Sequence, residues 1–424
     1  MKCDYACGSN QHNVNRRMFL GTVAGTGLSV LANPLSAKQL ASQQKRVLMV
    51  FLAGGVSQLE TWDPKPGTNT GGPFRAIPTS VPGTHISELL PHTAKWMHKL
   101  ALVRGINTKE DDHGKGSYIM HTGRRQEPAT DYPHFGSVCS KLLTSDDNPL
   151  PGYLTVTPSG SGNQNTKDAT FLGPRHGSVN ISDGKAPANL DKPNGITMDQ
   201  EMQRHALRQA ANEKFLSRRR TAMTEAYTQT YDQAKLLMEK KNLFDITAEP
   251  GPLADKYGRH DFGRHCLLAR RLLEGGATFV KVTHTNYDTH HENFDFHIEQ
   301  LGEFDRPFAS LIEDLDMRGM LDSTLVVVMS EFGRTPNINR NYGRDHWSKA
   351  WSVALAGCGI QKGAVVGKTN ANGTAVVDRE VNGGHLFHTY LKALGLDPKK
   401  NFYIDQRPIP MADPKADIIQ EILL

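Results

Sequence analysis

The residues best placed to do chemistry follow a run of aliphatic side chains. Leu325-Val326-Val327-Val328-Met329 breaks off into Ser330-Glu331-Phe332-Gly333-Arg334-Thr335-Pro336, and Gly343-Arg344-Asp345-His346-Trp347 comes shortly after. A short apolar run bounded by turn residues predicts a strand buried on both faces. Open α/β sheets gather their chemistry just past the carboxyl ends of such strands. Glu331 stands at that point. A carboxylate buried there without a partner is costly, so it either ligates a cation or pairs with Arg334. A second predicted strand, Ala277 to Val282, delivers Asp288-Thr289-His290. Residues two apart in extended chain face the same way. An aspartate oxygen beside an imidazole nitrogen suits zinc or another first-row divalent ion; the plainer alternative is loop histidines in water. Asp345 and His346 add another such pair, both as ligands or with Asp345 orienting an imidazole from outside the ligand set.

Asp111-Asp112-His113-Gly114-Lys115-Gly116-Ser117 is a polar loop entering a helix whose first amides favour an anion. His113, Lys115 and Ser117 are the groups able to act there; a capped helix with a solvated lysine is the ordinary reading. Glu60, Asp63 and Lys65 follow the first predicted strand, and Asp63-Pro64 reads equally as a turn.

These residues need a scaffold, and the hydrophobic pattern supplies one. Predicted strands cover Lys45 to Leu52, Leu100 to Arg104, Ala277 to Val282, Leu325 to Met329 and Ser352 to Ala356. Predicted helices cover Tyr118 to His121 (stopping at Gly123), His265 to Glu274, Phe294 to Met317 and Leu386 to Leu394. Asn180 to Lys192 reads as a loop, and about 195–250 as a helical insertion. Strands alternating with helices indicate an α/β sheet with helices on both faces.

The first residues read differently. Asn15-Arg16-Arg17-Met18-Phe19-Leu20-Gly21, a short apolar stretch and Leu35-Ser36-Ala37 form a twin-arginine export pattern over 1–37, too short to span a membrane. The expected location is therefore the periplasm or cell envelope, with residues 38–424 as the folded domain. Lys2, Arg16 and Arg17 against Asp4 account for +2 of the formal charge of +5, leaving +3. That mild excess, without a long basic run, argues against nucleic acid. Cys139, Cys266 and Cys358 are scattered beyond the signal and make neither a disulfide framework nor a metal motif. No later segment is apolar enough to cross a bilayer.

Taken together, the chain resembles the bacterial family named domain of unknown function 1501 (DUF1501). The resemblance is carried by the twin-arginine start, LAGGVSQLETWDPKP (52–66), HTGRRQ (121–126), KYGRHDFGRHCLLARRLLEGGATFVKV (256–282), YDTH (287–290), SEFGRTP (330–336), GRDHW (343–347) and LKALGLDP (391–398). That family is similar to the alkaline phosphatase and sulfatase superfamily. The resemblance implies a three-layer α/β/α sandwich with a mostly parallel central sheet, and metal-dependent hydrolysis of phosphate or sulfate esters. It implies one or two divalent cations (zinc, calcium, magnesium or manganese) held among Asp288, His290, Glu331, Asp345 and His346, with Glu60 or Asp63 replacing an expected first-strand aspartate. Arg334 and Lys115 would face the anionic small-molecule or glycan ester. His113 falls where the superfamily nucleophile stands and would act as nucleophile, acid or base, with Ser117 behind it. The chain departs from the pattern at Phe332, where a histidine ligand is expected. This departure favours an alternative, a catalytically degenerate envelope protein that binds an anionic glycan or a protein partner.

Overall fold

Alternate side chains of β1 (Arg46–Leu52) enter two different cores. Leu48, Val50 and Leu52 face one, and Val47, Met49 and Phe51 the other, all buried. A strand of that kind must lie inside a sheet covered on both sides. The computed structural model describes residues 44–424 except 129, 160–166, 189, 192–193 and 219–221. The expected export signal lies outside the described residues.

β1 is joined by β2 (Leu100–Ile106), β3 (Tyr153–Thr157), β4 (Val179–Ser182), β5 (Phe279–His284), β6 (Thr324–Met329), β7 (Trp351–Gly357) and β8 (Val365–Val366). Their order across the sheet is β8-β2-β7-β6-β1-β5-β3-β4. β7 runs antiparallel to β2 and β6; every other pairing is parallel. The helices used below are α1 (His113–Thr122), α2 (Phe135–Leu143), α3 (Met198–Arg218), α4 (Ala222–Glu239), α5 (Asp261–Glu274), α6 (Asn293–Met317) and α7 (Gly383–Ala393). Leu267, Leu268 and Leu272 of α5 and Phe304, Phe308 and Leu311 of α6 close one face. Phe135 and Val138 of α2 with Phe387, Tyr390 and Leu391 of α7 close the other. The result is the expected three-layer α/β/α sandwich with a mostly parallel sheet. Each fully buried aliphatic side chain contributes roughly 1.5–3 kcal/mol, so the strand ends are fixed points from which loops project.

Register sets where those loops meet. Leu52 of β1 lies opposite His284 of β5, and Phe51 opposite Met329 of β6, so three neighbouring strands end level. β2 runs parallel to these and ends at the same edge. β7 runs the other way and therefore begins there. The segments after β1, β2, β5 and β6 and the one before β7 are thus brought to a single edge.

Some expectations needed revision. Asn180 to Ser182, read as loop, belong to edge strand β4, where Thr155 and Thr157 hydroxyls bond the Asn180 side chain at 3.0 and 2.9 Å. Polar cross-strand bonds, with Ile181 the one buried residue of β4, hid this strand from a hydrophobic pattern. α3 and α4 occupy the region read as an insertion. The contact between them is polar, with Arg208 over the Tyr231 ring and Asn212 bonded to Thr228.

Candidate metal centre

The site is built from four of the segments at that edge. α1 starts at His113, capped by Asp112, whose Oδ1 accepts from the Lys115 amide at 2.9 Å. Asp288 and His290 follow β5, and Glu331 follows β6. His346 arrives on a two-residue strand (His346–Trp347) paired antiparallel with Gly333–Arg334, with His346 opposite Arg334. Gly54, after β1, has φ +116°, and a Cβ there would sit 2.5 Å from the Asp288 nitrogen. Only glycine lets the two strand-end loops approach so closely.

Each of the three histidines is held by its Nδ1. His113 Nδ1 lies 2.7 Å from Glu331 Oε1, His290 Nδ1 2.8 Å from Asp345 Oδ1, and His346 Nδ1 2.7 Å from the Asp111 carbonyl oxygen. Ionised carboxylates and carbonyls only accept, so each Nδ1 carries the proton and donates. The Nε2 atoms then point inward, toward Asp288. His290 Nε2 and His346 Nε2 are each 3.2 Å from Asp288 Oδ1 and 3.0 Å from each other; His113 Nε2 is 3.4 Å from Asp288 Oδ2. Unprotonated, these nitrogens turn lone pairs toward one another and toward the carboxylate, a repulsion that a proton or a metal ion among them relieves. The chemistry of the donor set therefore fits a bound metal ion. The ligand atoms of His113, Asp288 and His346 all lie within 4.8 Å of one another.

Electrostatics reinforce the arrangement. Burial raises the Asp288 carboxyl, but the Arg334 hydrogen bond and charge, with help from His346 and His113, outweigh it and hold the group down at about 2. The hydrogen bond that His113 donates to Glu331 lifts the ring above the ordinary imidazole value, against an opposing loss from burial. Asp288, Glu331 and Asp345 against Arg334 leave two negative charges, which one divalent ion cancels.

The predicted residues fall into three groups. Asp288, His290, His346 and His113 converge. Glu331 and Asp345 touch the outer nitrogens of the imidazoles. The Glu331 oxygens also accept from the Gly54 amide and the Ser330 hydroxyl, both at 2.9 Å. Among the remaining residues, Arg334, Glu60 and Asp63 need correction. Arg334 does not face a substrate. Its side chain is 0% exposed, and it donates to the Gly55 and Arg344 carbonyls (2.8 and 3.0 Å), to the Gly54 carbonyl and to Asp288 (2.5 Å). Glu60 is no ligand, because both its oxygens bond the buried Arg344, at 2.9 and 3.1 Å. Asp63 pairs instead with Lys65 at 2.9 Å and accepts from Thr369. Ser117 lies one turn along α1, its Oγ 3.3 Å from His121 Nδ1. Lys115 is exposed on the first turn of α1.

Two further residues complete the site: Phe332, read from the sequence only as a departure from the pattern, and Asn339, which gave no signal. Phe332 is fully buried, its ring centroid 4.9 Å from His113 and 4.5 Å from His346, and forms a floor beneath the imidazoles. Asn339 donates to the His290 carbonyl at 2.9 Å and steadies that loop.

Comparison with solved structures finds similar chains. One is the PsFucS1 sulfatase from Pseudoalteromonas sp., 12% identical over 92% of this chain and 75% of that one, with TM-score 0.41. Another is the lipoteichoic acid synthase LtaP from Listeria monocytogenes, 10% identical over 91% and 78%, with TM-score 0.39. A third is a protein in the alkaline phosphatase superfamily from Vibrio parahaemolyticus, 11% identical over 87% and 77%, with TM-score 0.36. Comparison with curated proteins finds no match. The family model described as protein of unknown function (DUF1501) matches residues 44–423, and the chain belongs to that family.

Proposed function

We propose that the protein is a metal-dependent hydrolase of phosphate or sulfate esters, exported by the twin-arginine route to the periplasm or cell envelope. The observation that carries this reading is the meeting of Asp288, His290, His346 and His113 at one sheet edge with their lone pairs turned inward. A divalent cation bound there would act as a Lewis acid on an ester oxygen. The chain's own residues prepare the place. Arg334 keeps Asp288 ionised, and the Nδ1 acceptors keep the rings aimed and in one tautomer. With the two negative charges cancelled, an anionic ester meets no net repulsion. Lys115, exposed at the start of α1, offers it an ammonium. The resemblance of Ser330-Glu331-Phe332-Gly333 to the superfamily's strand-end Ser-Asp-His-Gly supports the same reaction class.

The test is metal analysis of the purified mature protein, with hydrolysis of aryl phosphate and aryl sulfate esters measured with and without chelator. Turnover abolished by chelator and restored by metal is expected. No bound metal, and no turnover after supplementation, would contradict the reading.

A second reading, an envelope protein that binds an anionic glycan or a protein partner without turning it over, is favoured by Phe332. The apolar ring stands where a further ligand is expected, and no hydroxyl or thiol occupies the place of His113. Glycan capture unchanged by Glu331→Gln and His113→Ala, in protein that hydrolyses neither ester, would establish that alternative.

A further inference from the structure

We propose that His113 is itself a metal ligand. One transition-metal ion would then be held by Nε2 of His113, His290 and His346 and by the Asp288 carboxylate, while Glu331 and Asp345 orient rings. The proposal rests on the metal-dependent reading of the same site and specifies its ligands and its ion.

Orientation is the first argument. His113 is placed like the other two histidines: its Nδ1 is engaged by an acceptor and its Nε2 faces Asp288. A ring fixed by a carboxylate on one nitrogen and free on the other is the usual state of a metal-bound histidine. Spacing is the second. His113, Asp288 and His346 offer ligand atoms that all lie within 4.8 Å of one another. His290 Nε2, outside that group of three, lies 3.0 Å from His346 Nε2 and 3.2 Å from Asp288 Oδ1 and must draw in to share the ion. Donors about 2.0–2.1 Å from a metal lie about 3.3 Å apart in a tetrahedron and about 2.9 Å apart in an octahedron. Donor chemistry is the third. Three imidazoles with one carboxylate suit zinc, manganese, iron or cobalt, whereas calcium and magnesium take oxygen.

A second ion finds few donors. Both Glu331 oxygens already accept hydrogen bonds, and the Phe332 ring fills the floor below His113 and His346. The Asp288 side chain is 49% exposed, so the open side of the centre faces solvent, where a substrate oxygen can approach. A His113 lone pair committed to the ion does not attack the ester, and no covalent intermediate forms on that ring.

The experiment loads the mature protein with zinc, manganese or cobalt and reads bound metal by mass spectrometry and the cobalt visible spectrum. One equivalent per chain is expected. His113→Ala should lower cobalt affinity at least about tenfold and shift the spectrum. Glu331→Gln, which takes the charge from the group that orients the His113 ring but leaves every ligand in place, should lower affinity about 10- to 100-fold and leave the band pattern in place. Melting curves in chelator establish that the variants fold, and His113→Gln replaces the alanine variant if that one does not. Unchanged affinity and spectrum in a folded His113 variant, or two tightly bound equivalents in the wild type, would overturn the proposal. The metal readout is independent of turnover. One ion bound through His113 without ester hydrolysis would sink the hydrolase reading and keep the centre.

Discussion

Glu60 and Arg344 show how a residue's partner decides its role. Both side chains are 0% exposed and share two hydrogen bonds. Burial disfavours the Glu60 carboxylate, but Arg344 and its neighbours overcome this and hold it below its usual range. Removing one member strands a buried charge. Glu60→Ala should therefore destabilise the fold by about 3–5 kcal/mol, measured by denaturant melts, without changing cobalt affinity of the folded protein. His121 carries a pH prediction. It is 4% exposed, and burial, aided by the charge of Lys281, holds it well below the ordinary imidazole value, so the native ring stays neutral. Once unfolded it protonates below about 6.5. The unfolded state then binds the extra proton, so stability is full above that pH and falls as pH drops, by up to about 1.4 kcal/mol per unit. Melts from pH 7 to pH 5 should show a shallower decline in His121→Leu than in the wild type. An equal slope would exclude His121 as a source. At this scale Asp288 and His290 were legible, because alternation in extended chain puts both on one side. The division between ligands and orienting carboxylates was not legible, since it depends on which imidazole nitrogen meets which partner.

Elements place these groups through close backbone approach. Gly54 packs on the backbone that carries Asp288. At Gly343 a Cβ would lie 2.0 Å from the His290 carbonyl oxygen. Gly54→Ala and Gly343→Ala should each displace one ligand loop and lower metal affinity at least about tenfold, since ligand geometry sets affinity. Melting temperature should fall as well, because both contacts are with backbone. Isothermal titration with zinc checks this, and wild-type affinity in both variants would show that the loops are not pinned there. The buried strands β1, β5 and β6 were readable as apolar runs bounded by turns. The reversed direction of β7 was not, because an apolar run looks the same in either sense. That reversal brings His346 to the site. β3 and α2 are short and were not anticipated, although β3 is buried throughout.

For the whole molecule, the sandwich supplies a rigid edge, and the α3–α4 pair stands apart from it in character. α3 exposes Met202 (58%), Leu207 (71%) and Phe215 (46%) and meets α4 through polar groups. Few buried contacts mean low local stability. Limited proteolysis should cut within Met198–Arg218 before any sheet strand, and the nicked protein should keep its bound metal; first cuts in β1, β5 or β6 would contradict this. Among the described residues no helix is long and apolar enough to cross a membrane. The sandwich was legible from alternating strand and helix patterns, whereas the meeting of distant loops follows from strand order and register. The central claim is that those loops share one ion. Anomalous diffraction at the metal edge, from crystals of the metal-loaded mature protein, tests it directly. The account predicts one strong peak, about 2.0–2.2 Å from Nε2 of His113, His290 and His346 and from an Asp288 oxygen. A site without density there after loading, or a peak elsewhere that leaves these four side chains unliganded, would contradict it.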